Sequence, residues 1–122
     1  MNDPKNFVVY LSGPISRGDK VRNFAEPCAV QVRLMKQGFS VHNPMLTMML
    51  PGNEDIAHKE WIALDLPMVE RCDAVYRLPG ESRGADQEVS HAKSCGIPVV
   101  YSDASLFLIT QEDANARVPD ED

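Results

Sequence analysis

Glu88 carries the most chemistry in this sequence. Ala85, Val89 and Ala92 recur at i, i+4 and i+7, the spacing of a helix face packed on a sheet, and Glu88, three residues after Ala85, shares that face. A carboxylate turned toward a core needs partners. In the first turn of the helix expected over Ala85 to Cys95, free backbone N–H groups and the helix dipole favour its ionised form. Glu88 is then either an inward-facing, partnered carboxylate or a rim acid that only balances the dipole. The preceding Ser82-Arg83-Gly84 joins a hydroxyl, a small residue and a helix N-terminus, which suits a phosphate. It is neither a Walker loop nor a G-x-G-x-x-G fingerprint, and the plainer role for Ser82 is an N-cap.

Other candidates surround these two. Ser12-Gly13-Pro14-Ile15-Ser16-Arg17-Gly18 offers two hydroxyls and a guanidinium, or is an ordinary strand-to-helix turn. Tyr10 points its phenol either into a crevice or into the core. Asp65 either faces Glu88 or caps a helix restarted after Pro67. Asn43, closing the second strand ahead of Pro44, is a further candidate contact, and Trp61 either stacks on a planar base or packs as core. Asp73 reads as a structural turn bond, and Met45–Met49 as a pliable pocket wall or a partner surface.

The elements that must position these residues follow from the apolar pattern. Strands are expected over Phe7–Leu11, Phe39–His42, Ala74–Leu78 and Ile97–Tyr101. Val21, Phe24, Cys28, Val32 and Met35 recur at helical spacing up to a stop at Gly38, and Asn23 with Glu26 offers a capping box that would place Pro27 in the first turn. His58 to Cys72 reads as a helix interrupted at Pro67, and Ser105–Ile109 as a last strand or a helical turn. Alternating strands and helices predict a doubly wound, flavodoxin-like α/β fold: a parallel sheet of four to five strands in the order 2-1-3-4(-5), with helices on both faces. The switch point then lies between strands 1 and 3, beside the Ser12–Gly18 and Gly80–Gly84 loops, where ligands bind in such folds. One domain is expected over 1–110, followed by an acidic, flexible tail over 111–122.

Charge and cysteines limit the partners. Twelve basic residues stand against eighteen acidic ones, a net −6 over 122 residues. Glu112, Asp113, Asp120, Glu121 and Asp122 against Arg117 put −4 of it in the last eleven residues, leaving −2 for residues 1–111. With no basic stripe, nucleic-acid binding is not expected, whereas a small phosphorylated ligand needs only a few donors. No apolar run approaches the ~18 residues of a membrane span, and the start shows no signal-peptide layout. Cys28, Cys72 and Cys95, odd in number and in apolar surroundings, read as reduced, so a cytoplasmic protein is expected. The histidines form no H-x-x-x-H pair and are not read as grouped with the cysteines, so neither a metal nor another cofactor is expected. The apolar loop Met45–Leu50 exceeds what one core is expected to cover, which predicts a homodimer or higher homo-oligomer.

Taken together, Tyr10-Leu11-Ser12-Gly13-Pro14, Asp65-Leu66 ahead of Cys72-Asp73-Ala74-Val75, and Ser82-Arg83-Gly84-Ala85-Asp86-Gln87-Glu88 resemble the nucleoside 2-deoxyribosyltransferase superfamily over about residues 7–101. The likeness is greatest to its short bacterial and phage members and to the 2'-deoxynucleoside 5'-phosphate N-hydrolases. The resemblance implies that Glu88 is the nucleophile forming a glycosyl-enzyme intermediate, that Tyr10 orients it, and that Asp65 serves the leaving base as proton donor or relay. Ser82 stands where nucleoside-specific transferases carry an aspartate. A serine there resembles the nucleotide hydrolases, with Ser12, Ser16, Arg17 and Gly84 completing a phosphate site. The expected function is a retaining N-glycosidase of (2'-deoxy)nucleoside 5'-monophosphates. The alternatives are a base-exchanging deoxyribosyltransferase and a non-catalytic nucleotide-binding module. Pro67 and the short chain depart from the transferase pattern.

Overall fold

In a computed structural model describing residues 6–15 and 17–116, the chain runs β1 (Val8–Ser12), α1 (Lys20–Lys36), β2 (Ser40–His42), α2 (Pro44–Thr47), α3 (His58–Glu70), β3 (Ala74–Arg77), α4 (Arg83–Ser94), β4 (Val99–Val100) and α5 (Asp103–Ala116). The four strands are parallel in the order β2-β1-β3-β4, with Tyr10 beside His42 on one side and Val75 on the other. The expected doubly wound sheet is therefore present, with four strands. The last segment is a helix rather than a fifth strand, and it runs past the 110/111 boundary. Residues 117–122 of the expected tail, like Ser16, lie outside the described residues.

Strand alternation divides the core and sets up the site. Val9 and Leu11 face α1 and α5, packing with Val30, Leu34, Phe39 and Leu106. Tyr10 faces the other way, against Val69, Cys72, Val75 and Ala92 beneath α3 and α4. Ser12, two residues beyond Tyr10, shares that face. At the far end the Asp73 carboxylate accepts the Val8 N–H at 2.7 Å, a structural bond to the start of β1 rather than the turn bond expected.

Helix α1 corrects the sequence reading twice. It begins at Lys20, capped by Asp19 Oδ1, which accepts from the N–H groups of Val21 and Arg22. Pro27 is thus inside the helix, and no cap forms at Asn23; instead Asn23 Nδ2 donates to the carbonyls of Ile15 and Arg17, tying down the loop after β1. The buried face is Asn23, Pro27, Val30 and Leu34. Of the apolar series expected to face the core, Val21 is 78% exposed and Met35 54%. The polar Asn23 and the helix-averse Pro27 hid the real stripe. Helix α3 likewise runs unbroken through Pro67, with Arg71 Nη1 donating to the Pro67 carbonyl beyond it. Asp65 lies in mid-helix and caps nothing.

Candidate active site

Beyond the carboxyl ends of the strands lies a cavity of about 580 Å³. Its walls are the loop after β1 (Gly13, Ile15, Arg17), Pro44 and Met48, the start of α3 (His58, Trp61, Ile62, Asp65) and the start of α4 (Ser82 to Ala85, and Glu88). It lies at the β1/β3 switch point. Glycines let the wall, and the loops beside it, close up. Gly80 holds φ +114° and a Cβ there would come within 2.7 Å of Pro14, while a Cβ on Gly84 would meet Ile62 at 3.2 Å.

Glu88 is 5% exposed, and each of its carboxylate oxygens accepts a hydrogen bond within the protein. Tyr10 Oη donates to its Oε2 at 2.7 Å and Ser12 Oγ donates to its Oε1 at 2.6 Å. Both donors are completely buried, so each carboxylate oxygen is aimed by a short bond to a β1 side chain. The Tyr10 ring is held in turn against His42, 5.3 Å away, whose imidazole pKa burial lowers. Burial pushes the Glu88 carboxyl up, and the bonds from Ser12 and Tyr10 and the charge of Arg77 oppose it. The helix dipole contributes less than expected. Helix α4 starts at Arg83, which puts Glu88 in the second turn and leaves Asp86 as the first-turn acid.

Asp65, 8% exposed, enters the same cavity from α3. Its carboxyl is pushed up to about 7, first by burial and then by the charge of Glu88, with Tyr10 working the other way. Tyr10 has a single proton, already given to Glu88 at 2.7 Å, so burial and like charge prevail. Burial and the two carboxylates also push the Tyr10 phenol far up, and it stays neutral. The pair is asymmetric: Glu88 has two donors that stabilise its charge, whereas Asp65 keeps a proton near neutrality.

Of the other residues singled out in the sequence, Gly13, Ile15, Arg17, Trp61, Ser82 and Gly84 line the cavity. Ser12 is not among the lining residues; its hydroxyl donates to Glu88 and holds it. Asn43 does not line this cavity either: its Oδ1 caps α2 through the Met45 N–H at 3.0 Å and its Nδ2 donates to Gln31 at 3.1 Å. Ser82 does cap α4, accepting from the Ala85 N–H at 3.0 Å. Among the described residues its proton has no acceptor, so the cap leaves the hydroxyl able to donate into the cavity. Arg17 pairs with Glu81 at 3.1 Å, with both side chains mostly exposed, a contact weak enough to yield to an anion. Sequence reading missed His58, Ile62 and Ile56 in the wall, and Arg77. The guanidinium of Arg77 bonds the Leu78 and Gly80 carbonyls and Asp86, bracing the loop that leads into α4. No spacing rule marks a strand-end arginine for that work. The Met45–Leu50 segment divides: Met45 is buried, Met48 faces the cavity, and Leu46, Met49 and Leu50 are exposed. No helix among the described residues is long and apolar enough to cross a membrane.

Residues 7–101 match the model of the DUF4406 family, a domain of unknown function. No curated protein matches the sequence. Among solved structures, a 2-deoxyribosyltransferase from the psychrotolerant bacterium Bacillus psychrosaccharolyticus superposes with a TM-score of 0.57 at 20% identity, over 75% of this chain and 69% of that one. A conserved protein from Enterococcus faecalis V583 superposes with a TM-score of 0.60 at 23% identity, over 93% and 76%. At these identities the likeness is one of fold.

Proposed function

The chain belongs to the DUF4406 family and has a nucleoside 2-deoxyribosyltransferase-like fold, and from the chemistry of its crevice we propose a retaining N-glycosidase acting on (2'-deoxy)nucleoside 5'-monophosphates. The observation that carries the reading is a buried carboxylate, Glu88, aimed by Tyr10 and Ser12 into a cavity that also holds Asp65 and the N-terminus of α4. Glu88 attacks the anomeric carbon as the bond to the base breaks. Asp65 gives its proton to the departing base nitrogen, and a glycosyl ester on Glu88 results. Asp65, now ionised, takes a proton from water as that water displaces Glu88, releasing the sugar 5-phosphate. Each carboxylate returns to its starting state. The transition states are cationic, and the charge of Glu88 stabilises them in a site of low dielectric.

The phosphate is assigned to the N-terminus of α4, where the first-turn N–H groups of Arg83 and Gly84 have no helical acceptor. The Ser82 hydroxyl and the Arg17 guanidinium stand beside them. Trp61 and Met48 offer a planar, apolar wall for the base. A panel of nucleosides and nucleotides incubated with the protein and resolved by chromatography tests the reading, with free base and sugar phosphate as the expected products. The likeness to a 2-deoxyribosyltransferase supports a second reading, in which an acceptor base intercepts the glycosyl ester. Base exchange without net hydrolysis in the same panel would establish that instead.

Ser82→Asp tests the phosphate site. Aspartate is as good an N-cap as serine, so α4 keeps its start. It replaces a donor with a charge facing the phosphate, which is expected to weaken nucleotide binding by ~1–3 kcal/mol. Preference should move toward the unphosphorylated nucleoside. An unchanged nucleotide-to-nucleoside ratio of kcat/KM refutes the assignment.

A homodimer is also expected. Leu46, Met49 and Leu50 on one segment, and Val21, Val32 and Met35 along α1, are exposed apolar side chains, more than a small monomer ordinarily leaves in water. Light scattering should give about twice the chain mass at micromolar concentration, and a monomer mass there rejects association.

A further inference from the structure

We propose a transition-metal site at the carboxyl ends of α3 and α4, formed by Glu70, His91 and Cys95. His91 Nε2 lies 2.7 Å from Glu70 Oε2 and 3.8 Å from Cys95 Sγ, and one ligand atom from each residue falls within 4.8 Å of the other two. His91 and Cys95 are four apart, so the helix itself brings them to one face. This spacing was not read as a Cys/His grouping in the sequence, and Glu70 arrives only through the packing of α3 on α4. The cluster is separate from the proposed catalytic site, since Cys95 lies seven residues, about 10 Å of helix, beyond Glu88.

The chemistry of the donors selects the ion. A tetrahedral zinc ion with Zn–S near 2.3 Å and Zn–N near 2.0–2.1 Å holds sulfur and nitrogen ~3.5 Å apart, close to the spacing found here. A thiolate and an imidazole favour zinc or cobalt over magnesium or calcium, and the carboxylate completes a three-residue set with a fourth position open to water. Both helices end here, Glu70 closing α3 and Ser94 closing α4. Their terminal carbonyls make this corner favourable for a cation. On binding, the Cys95 thiol proton passes to solvent and the Glu70–His91 contact gives way to two bonds to the ion. The ion then ties together the helices that carry Asp65 and Glu88, which makes it a structural clamp.

The test is a titration of the metal-free full chain with Co²⁺, followed by competition with Zn²⁺. One Co²⁺ per chain is expected, with a thiolate-to-cobalt charge-transfer band that Zn²⁺ abolishes. Cys95→Ser should lose the band, and His91→Ala and Glu70→Gln should each weaken binding at least ~tenfold. Cys28→Ser should change nothing. At a hundredfold excess over Kd, Zn²⁺ should raise the folded-to-unfolded ratio about 100-fold in the wild type and not in Cys95→Ser. The altered side chains are at or near the surface, so the variants should fold, which melting without metal verifies. Absence of the band in the wild type, or its persistence in Cys95→Ser, overturns the proposal.

Discussion

Glu88→Gln is expected to lower turnover of a nucleoside 5'-monophosphate by several orders of magnitude while leaving its binding intact or tighter. The carboxamide keeps the shape of the side chain but cannot form the glycosyl ester, and it removes the charge that faces a cationic transition state. Those two contributions vanish together, which is why the loss should exceed that from any supporting residue. The fold should survive. Tyr10 can still donate to the amide oxygen, and the Ser12 hydroxyl, a donor to Glu88 in the native protein, can turn to accept from the amide nitrogen. Binding should hold or improve because a negative charge near an anionic ligand is gone. Single-turnover kinetics and calorimetry on the same variant separate these effects. Turnover near the wild-type rate would dismiss Glu88 as nucleophile; loss of binding along with turnover would mean that the substitution damaged the pocket.

How far the sequence disclosed this site depended on what each residue does locally. Glu88 was visible because it interrupts an otherwise apolar helix face. Tyr10 and Ser12 stand out in the sequence as well, but there Tyr10 is open between crevice and core and Ser12 is a loop hydroxyl. In the structure β1 extends through Ser12, and that puts both on one side of the strand against Glu88. The two loops at the switch point followed from strand order. What failed were boundaries and faces decided by tertiary packing. Asn23 earns its buried place on α1 by bonding loop carbonyls, a role no hydropathy pattern displays, and the helix face was misplaced accordingly. Starting α4 at Ala85 rather than Arg83 gave Glu88 a first-turn position it does not have. The work Asn43 does in the fold was not legible: its oxygen caps α2 and its nitrogen bonds Gln31, partners that only packing supplies. His58, Ile56 and Ile62 were missed because a pocket wall made of ordinary helix and loop residues has no spacing of its own.

Asp65→Asn should separate activity from stability, and pH gives the sign of each. With its carboxyl at about 7 rather than the ordinary 3.8, Asp65 is protonated through the weakly acid range and can give that proton to a departing base. Activity should therefore fall as pH rises through about 7, because the acid is lost, and should also fall in acid as Glu88, itself pushed up by burial, takes up a proton. Asparagine can hydrogen-bond the base but cannot protonate it. A loss of about 10²–10⁴ in kcat is expected, with the alkaline limb removed from the profile. A substrate whose base departs readily without protonation should suffer much less. Stability should move the opposite way. The folded protein holds a proton on Asp65 that the unfolded chain gives up near 3.8, so this group's contribution is complete below that pH and is lost as pH rises toward 7. Above pH 7 the ionised carboxylate is a burden on the order of 2–4 kcal/mol, which asparagine does not carry. The variant should thus melt higher than wild type at pH 8 and close to it at pH 4. Melting curves at the two pH values, read beside the rate profile, decide the point. A variant that is slower and also less stable at pH 8 would make Asp65 a packing residue, whereas one that is slower and more stable would mark it as a group held at thermodynamic expense for its proton.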